Sequence, residues 1–91
     1  MNNQKIAIES LSMDLMRVAL GYQRGSISMA KRFSKEAQKR CSEIDASHVK
    51  PYFAKILKKL TLVLRDSGKD RIAEDILMHS VICKNYAKKF C

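Results

Sequence analysis

Helix breakers are almost missing from this chain, which has three Gly and one Pro among its 91 residues. That scarcity, beside plentiful Lys, Leu, Ile, Ala and Met, points to an all-α protein. No run approaches the roughly 18 apolar residues that a membrane helix needs, and the opening MNNQK has neither the basic nor the apolar region of a signal peptide. The expected compartment is therefore the cytoplasm, with no membrane partner. Cysteine is sparse as well: Cys41, Cys83 and Cys91 are odd in number, widely spaced and form no Cys-x-x-Cys pair, so reduced thiols are expected. Gly-rich phosphate loops, a dinucleotide fingerprint and paired general-acid carboxylates are all missing. These absences argue against an enzyme, a cofactor and a small-molecule substrate.

What is present reads as globular. Hydrophobic residues make up 46% of the chain and charged residues 30%, which excludes disordered and fibrous classes. The length allows a single domain, 1–91, with a modest core that pairing with a second copy would enlarge.

Four helices with short connections account for almost every residue. The first is expected over 3–24, with Asn2 or Asn3 as its N-cap and Gly25 in the left-handed position just past its end. Ser26 is expected to cap the second, which runs to Glu43. The third is placed from Ser47, with Pro51 inside its first turn, and stops before Gly68. The fourth starts at Asp70 or through a Ser67-x-x-Asp70 pattern and continues to Phe90.

Steps of three and four mark one apolar face on each helix. These faces are Ile8, Leu11, Leu15, Val18 and Tyr22; Ala30, Phe33, Ala37, Cys41 and Ile44; Val49, Phe53, Ile56, Leu60 and Val63; and Ile72, Ile76, His79, Cys83, Tyr86 and Phe90. Short connections make sequential helices antiparallel, so the expected fold is an all-α, antiparallel up-down-up-down four-helix bundle. A second apolar line crosses the first helix at Ile6, Met13 and Leu20, flanked by Met16, and the fourth helix carries Leu77 and Val81 behind its core stripe. A helix apolar on several faces is buried on several faces, so the first and fourth helices are expected to form a homodimer interface.

The formal net charge is +9, and its placement is uneven. From Arg24 to Arg65 there are 11 basic and 3 acidic residues, against 7 and 6 in the remainder. Lys31, Arg32, Lys35 and Lys39 on the second helix lie opposite its core stripe, as do Lys55, Lys58, Lys59 and Arg65 on the third. Such a face suits an acidic protein partner or the phosphates of a nucleic acid. Lys outnumbers Arg, no aromatic residue is interleaved for base stacking, and no recognition helix stands out, all of which favour the protein partner.

A histidine lies inside the apolar run AEDILMHSVICKNYA. Asp75, His79 and Cys83 are spaced by four and share one helical ridge, and all three are competent metal ligands. One helix cannot close a tetrahedral site, with only Cys41 and Asp14 as inward-facing completions, and the Glu-x-x-His pairs of di-iron bundles are missing. His79 therefore reads as a core or interface histidine, Cys83 as a small hydrophobe, and no metal or catalytic residue is assigned. The expectation is a small non-enzymatic helical bundle, an accessory protein-interaction module with a basic face. Nonspecific binding of RNA or DNA through the same lysines is the alternative.

Overall fold

The computed structural model describes residues 3–65 and 72–90. It contains α1 (Asn3–Gln23), α2 (Ile27–Glu43), a 3₁₀ turn (Ala46–His48), α3 (Pro51–Arg65) and α4 (Ile72–Phe90). The helices form a ring: α1 packs against α2 and α4, and α3 against α2 and α4. This is the up-down-up-down bundle, 37 × 22 × 19 Å in extent. Asn2, and the Ser67 to Asp70 signal for the start of α4, lie outside the described residues.

The turn from α1 to α2 follows from Gly25. Its φ of +74° is open to glycine at no steric cost, and it places the Gly25 N–H on the Tyr22 carbonyl and the Ser26 N–H on the Gly21 carbonyl. This double closure is a Schellman ending. Ser26 is thereby committed to finishing α1. Its side chain makes no capping hydrogen bond to α2, contrary to the sequence expectation.

The third helix also begins later than the sequence suggests. Asp45 accepts hydrogen bonds from the Ser47 N–H and hydroxyl, at 3.0 and 2.6 Å, and closes the short turn. Val49 is extended, and α3 starts at Pro51. A proline clashes with a helical residue before it, so the chain cannot run helically through Lys50 into Pro51. The Lys50 N–H instead donates to the Tyr86 hydroxyl at 2.8 Å, tying the start of α3 to α4. Gln4 makes the matching tie to α1, donating to the Asp45 carbonyl and accepting its N–H.

The core runs through Ile8, Leu11, Leu15 and Val18 of α1, Ala30 and Ala37 of α2, Phe53, Leu57, Leu60 and Leu64 of α3, and Ile76, Cys83 and Tyr86 of α4. Tyr86 stacks on Phe53 with ring centroids 3.9 Å apart. Two expected stripes are displaced. On α3, Leu57 and Leu64 are buried while Ile56 and Val63 are half-buried; on α2, Ser34 is buried and Phe33 half-buried. Phe90, at the end of α4, is 41% exposed.

Small residues set the distances at which α1 meets its two neighbours. A Cβ on Gly21 would lie 2.8 Å from the Ala30 backbone nitrogen, so α1 and α2 touch backbone to backbone there. Against α4, buried Ser12 and Ser80 face each other.

Candidate functional site

The eight residues expected on the basic face, Lys31, Arg32, Lys35, Lys39, Lys55, Lys58, Lys59 and Arg65, are all exposed. They do not form one uniform field. The seam between α2 and α3 is open at two places along its length, and each opening gathers a different subset.

Nearer the α2–α3 connection is a groove of about 400 Å³ lined by Cys41, Ile44, Ala46, Ala54, Leu57 and Thr61, with Lys55 and Lys58 also in its wall. Its surface is predominantly apolar. At the other end is a cleft of about 340 Å³ lined by Lys31, Ser34, Lys35, Gln38, Leu64 and Arg65. Lys39 and Lys59 line neither hollow. Arg32 turns to Phe33, with its guanidinium carbon 5.8 Å from the ring centroid, and Arg17 of α1 approaches the same ring at 5.4 Å.

Among the described residues no acid lines either hollow; the nearest in the chain, Asp45 between Ile44 and Ala46 of the groove, lies 2.9 Å from the His48 Nδ1. The only carboxylates of α2 and α3 are Glu36 and Glu43. Glu43 pairs with Arg40 at 3.2 Å, Arg40 reaches Asp14 of α1, and the charge of Glu36 is felt at Asp14. Both therefore lie toward α1. Lys31, Lys35, Lys55, Lys58 and Arg65 make no ion pair among the described residues.

Sequence reasoning missed Ser34 and Gln38 in the cleft. The signal was available: 30, 34, 37, 41 and 44 step by four and three, and Ser34 completes that stripe better than Phe33 does. A serine reads as surface, which hid it. Reasoning from sequence also set aside aromatics near the lysines, yet Tyr52 is 50% exposed at a helical spacing of three from Lys55.

The apolar residues of the expected dimer stripe lie mostly at the surface. Ile6 and Met13 are 56% exposed and Met16, Leu77 and Val81 are exposed as well, with Leu20 half-buried. Next to it a smaller hollow between α1 and α4 is lined by Lys5, Glu9, Lys84, Ala87 and Lys88.

His79 is buried, and its Nδ1 lies 2.7 Å from the Asp75 carbonyl oxygen. A carbonyl only accepts, so Nδ1 carries the proton and the ring is anchored to its own helix. Burial pushes the Cys83 thiol up to about 12 and the Cys41 thiol up to about 11, with Thr61 opposing the latter by a hydrogen bond. Thiols held so far above neutrality are poor nucleophiles and poor ligands. Among the described residues no three His, Cys, Asp or Glu side chains converge as a metal site. Within the same residues no helix is long and apolar enough to cross a membrane.

No family model, curated protein or solved structure matches this chain.

Proposed function

We propose that the protein is a non-catalytic docking module whose α2–α3 seam receives an acidic, amphipathic segment of a partner protein. The observation that carries this is the pairing of an apolar groove with unneutralised cations along one seam. An amphipathic helix or strand places apolar anchors among Ile44, Ala54 and Leu57 and its acids against Lys55, Lys58 and Arg65. The cations raise the encounter rate and fix the register, while the groove supplies buried area. A nucleic acid answers the charges but makes no use of an apolar groove, which is why the protein partner is the better fit.

The module is also proposed to self-associate through α1 and α4, on the side away from the seam. Its apolar stripe is symmetric about Met13, with Ile6 and Leu20 seven residues to either side. Glu9 and Arg17 lie four residues to either side, so a two-fold antiparallel pairing brings each Glu9 level with the partner's Arg17, whose guanidinium also pairs with Asp14 of its own helix at 3.3 Å. That self-complementarity of charge supports a second copy as the occupant of this face.

Fluorescence anisotropy tests the docking reading, with a labelled acidic amphipathic peptide compared against single-stranded RNA and double-stranded DNA. The peptide is expected to bind, to keep part of its affinity in moderate salt, and to be lost on Lys55→Glu with Lys58→Glu. Nucleic-acid binding that falls linearly in log salt, with no peptide binding, would replace this reading by the phosphate-backbone one.

A further inference from the structure

We propose that the cleft lined by Lys31, Lys35, Arg65 and Ser34 is an oxyanion site that seats a phosphate monoester, carried as phosphoserine by the acidic segment that docks on the seam. The source of the phosphate rests on the docking reading; the site itself does not.

Charge is the first argument. Three cations from two helices line one cleft of about 340 Å³, and no acid of α2 or α3 faces it among the described residues. Lys31 and Lys35 are one turn apart on the same helix, so their mutual repulsion opposes folding unless an anion lies between them. The C-terminal end of α3 supplies a counter-field, but that amounts to about half an elementary charge against three whole ones. A phosphate monoester brings nearly two negative charges and three accepting oxygens, a better match to this set than a singly charged diester. Arg65 offers the planar fork that grips two of those oxygens at once.

The second argument is independent of charge. Ser34 is 4% exposed, it lines the cleft, and its hydroxyl is buried without a hydrogen-bond partner among the described residues. A serine inside a helix ordinarily satisfies its hydroxyl on a carbonyl of the preceding turn. Thr61, across the same seam, does this on Leu57 at 3.0 Å. Ser34 does not. A buried orphan donor is costly and calls for an explanation, and an acceptor oxygen arriving in the cleft provides one.

The third argument is continuity. Gln38 of the cleft and Cys41 of the groove are three residues apart on α2, as are Leu64 and Thr61 on α3. At the α-helical rise this is roughly 5 Å, so a segment with its phosphate in the cleft drops its neighbouring side chain into the apolar groove.

The experiment is an NMR titration of the ¹⁵N-labelled protein with inorganic phosphate, with chloride holding the ionic strength constant. It is followed by two acidic peptides that differ only in serine against phosphoserine, and by single-stranded DNA. Saturable shifts are expected at the amides around Lys31, Ser34 and Lys35 and at the Arg65 guanidinium. Arg65→Gln is expected to weaken phosphate binding about tenfold, the size of one charged hydrogen bond. Ser34→Ala should weaken it less, and Lys59→Gln, outside the cleft, should leave it unchanged. The phosphopeptide is expected to outbind its plain counterpart by a similar factor, and to lose that advantage in Arg65→Gln. Shifts that never saturate and spread evenly over Lys55, Lys58 and Lys59 would overturn the site as simple counter-ion attraction. Equal binding of both peptides, with no phosphate response in the cleft, would overturn the site and leave the docking reading standing. Saturable phosphate binding with neither peptide bound would uphold the site and overturn the docking reading. Sensitivity to Arg65→Gln shown by DNA but not by the phosphopeptide would overturn the monoester assignment.

Discussion

Ser12 and Ser80 each donate their hydroxyl to the other's backbone carbonyl oxygen, both at 2.8 Å, across the α1–α4 contact. The pair is buried, and its two hydroxyl oxygens are 3.4 Å apart. The bonds exist because both side chains are small enough for the helices to approach until each reaches the other's backbone. Neither carbonyl depends on them, since both belong to helical ladders, so alanine loses the bond without leaving an orphan carbonyl. Ser12→Ala or Ser80→Ala is expected to cost about 1 kcal/mol, lowering the melting temperature by roughly 4–8 °C in a domain of this size. Ser80→Leu should cost more, about 1–3 kcal/mol, because the added volume forces the helices apart. Urea unfolding followed by circular dichroism would check both.

Gly21 and Gly25 lie four residues apart and should fail for opposite reasons when replaced by alanine. At Gly21 the new Cβ meets the backbone of Ala30 at 2.8 Å, and a backbone atom cannot step aside as a flexible side chain can. Alanine favours a helix by up to about 1 kcal/mol over glycine, but overpacking at a fixed backbone costs about 1–3 kcal/mol, so the net effect is a loss. At Gly25 there is open space and the obstacle is φ +74°. Gly25→Ala is expected to cost about 1–2 kcal/mol, whereas Gly25→Asn, which tolerates the left-handed region, should cost less. A ranking in which Gly21→Ala stabilised the protein would show that the α1–α2 contact is looser than this.

These two glycines also show what a sequence can and cannot reveal. Gly25 was legible because a glycine after a periodic run is a chain-end signal in its own right. Gly21 was not, because close approach is a property of two helices. The same holds for Ser12 and Ser80, which are polar by type and interior by geometry, whereas Ser34 lies on the period of its stripe and only its polarity conceals it. On α3, apolar residues at 53, 56, 57, 60, 63 and 64 support two stripes rotated by one residue, and only the positions of α2 and α4 select Phe53, Leu57, Leu60 and Leu64. The basic face was legible residue by residue. Its division into an apolar groove and a cationic cleft was not, since that depends on how α2 and α3 splay.

The two described cysteines predict a loss of stability in alkali. Both thiols have folded-state values raised above the ordinary 9.0, Cys41 to about 11 and Cys83 to about 12, chiefly by burial. Between 9 and those values the unfolded chain releases protons that the folded chain retains, so stability is whole below pH 9 and falls as the pH rises. Cys83→Ala and Cys41→Ala are expected to flatten that fall. The measurement is the urea midpoint of each variant at mildly and strongly alkaline pH, read as a difference from the parent. At neutral pH a thiol reagent should label buried Cys83 only as fast as the protein opens, whereas half-buried Cys41, in the wall of the groove, should react ahead of it.

Asp14 should respond to pH in the acid range. Burial raises its carboxyl above 3.8, outweighing Arg17 at 3.3 Å and Arg40 at 4.0 Å, with the charge of Glu36 adding to the rise. A raised carboxyl favours the folded state while protonated, so its contribution is fully present below 3.8 and is lost as the pH climbs through the folded value. Asp14→Asn keeps the shape and removes the charge. It is expected to be at least as stable as the parent at neutral pH and to show no advantage below 3.8. A large destabilisation at neutral pH would mean that the two arginines outweigh burial.

The stripe on α1 gives the last prediction, for the proposed second copy. Because Met13 is 56% exposed, replacing it with lysine removes no core packing and should leave the helical signal and the melting cooperativity of a single chain intact. In a two-fold pairing centred on Met13 the substitution sets two ammonium groups against each other at the axis, where like charges repel most. Met13→Lys is therefore expected to convert a dimer into a monomer in sedimentation equilibrium. Lys59→Glu, on the opposite side of the bundle, should leave the dimer unchanged. Glu9→Arg should weaken association as well, because each new arginine would face the partner's Arg17. A protein that sediments as a monomer at every concentration would leave Ile6, Met13 and Val81 without a second copy to cover them. A dimer indifferent to both substitutions would place the interface on another face of the bundle.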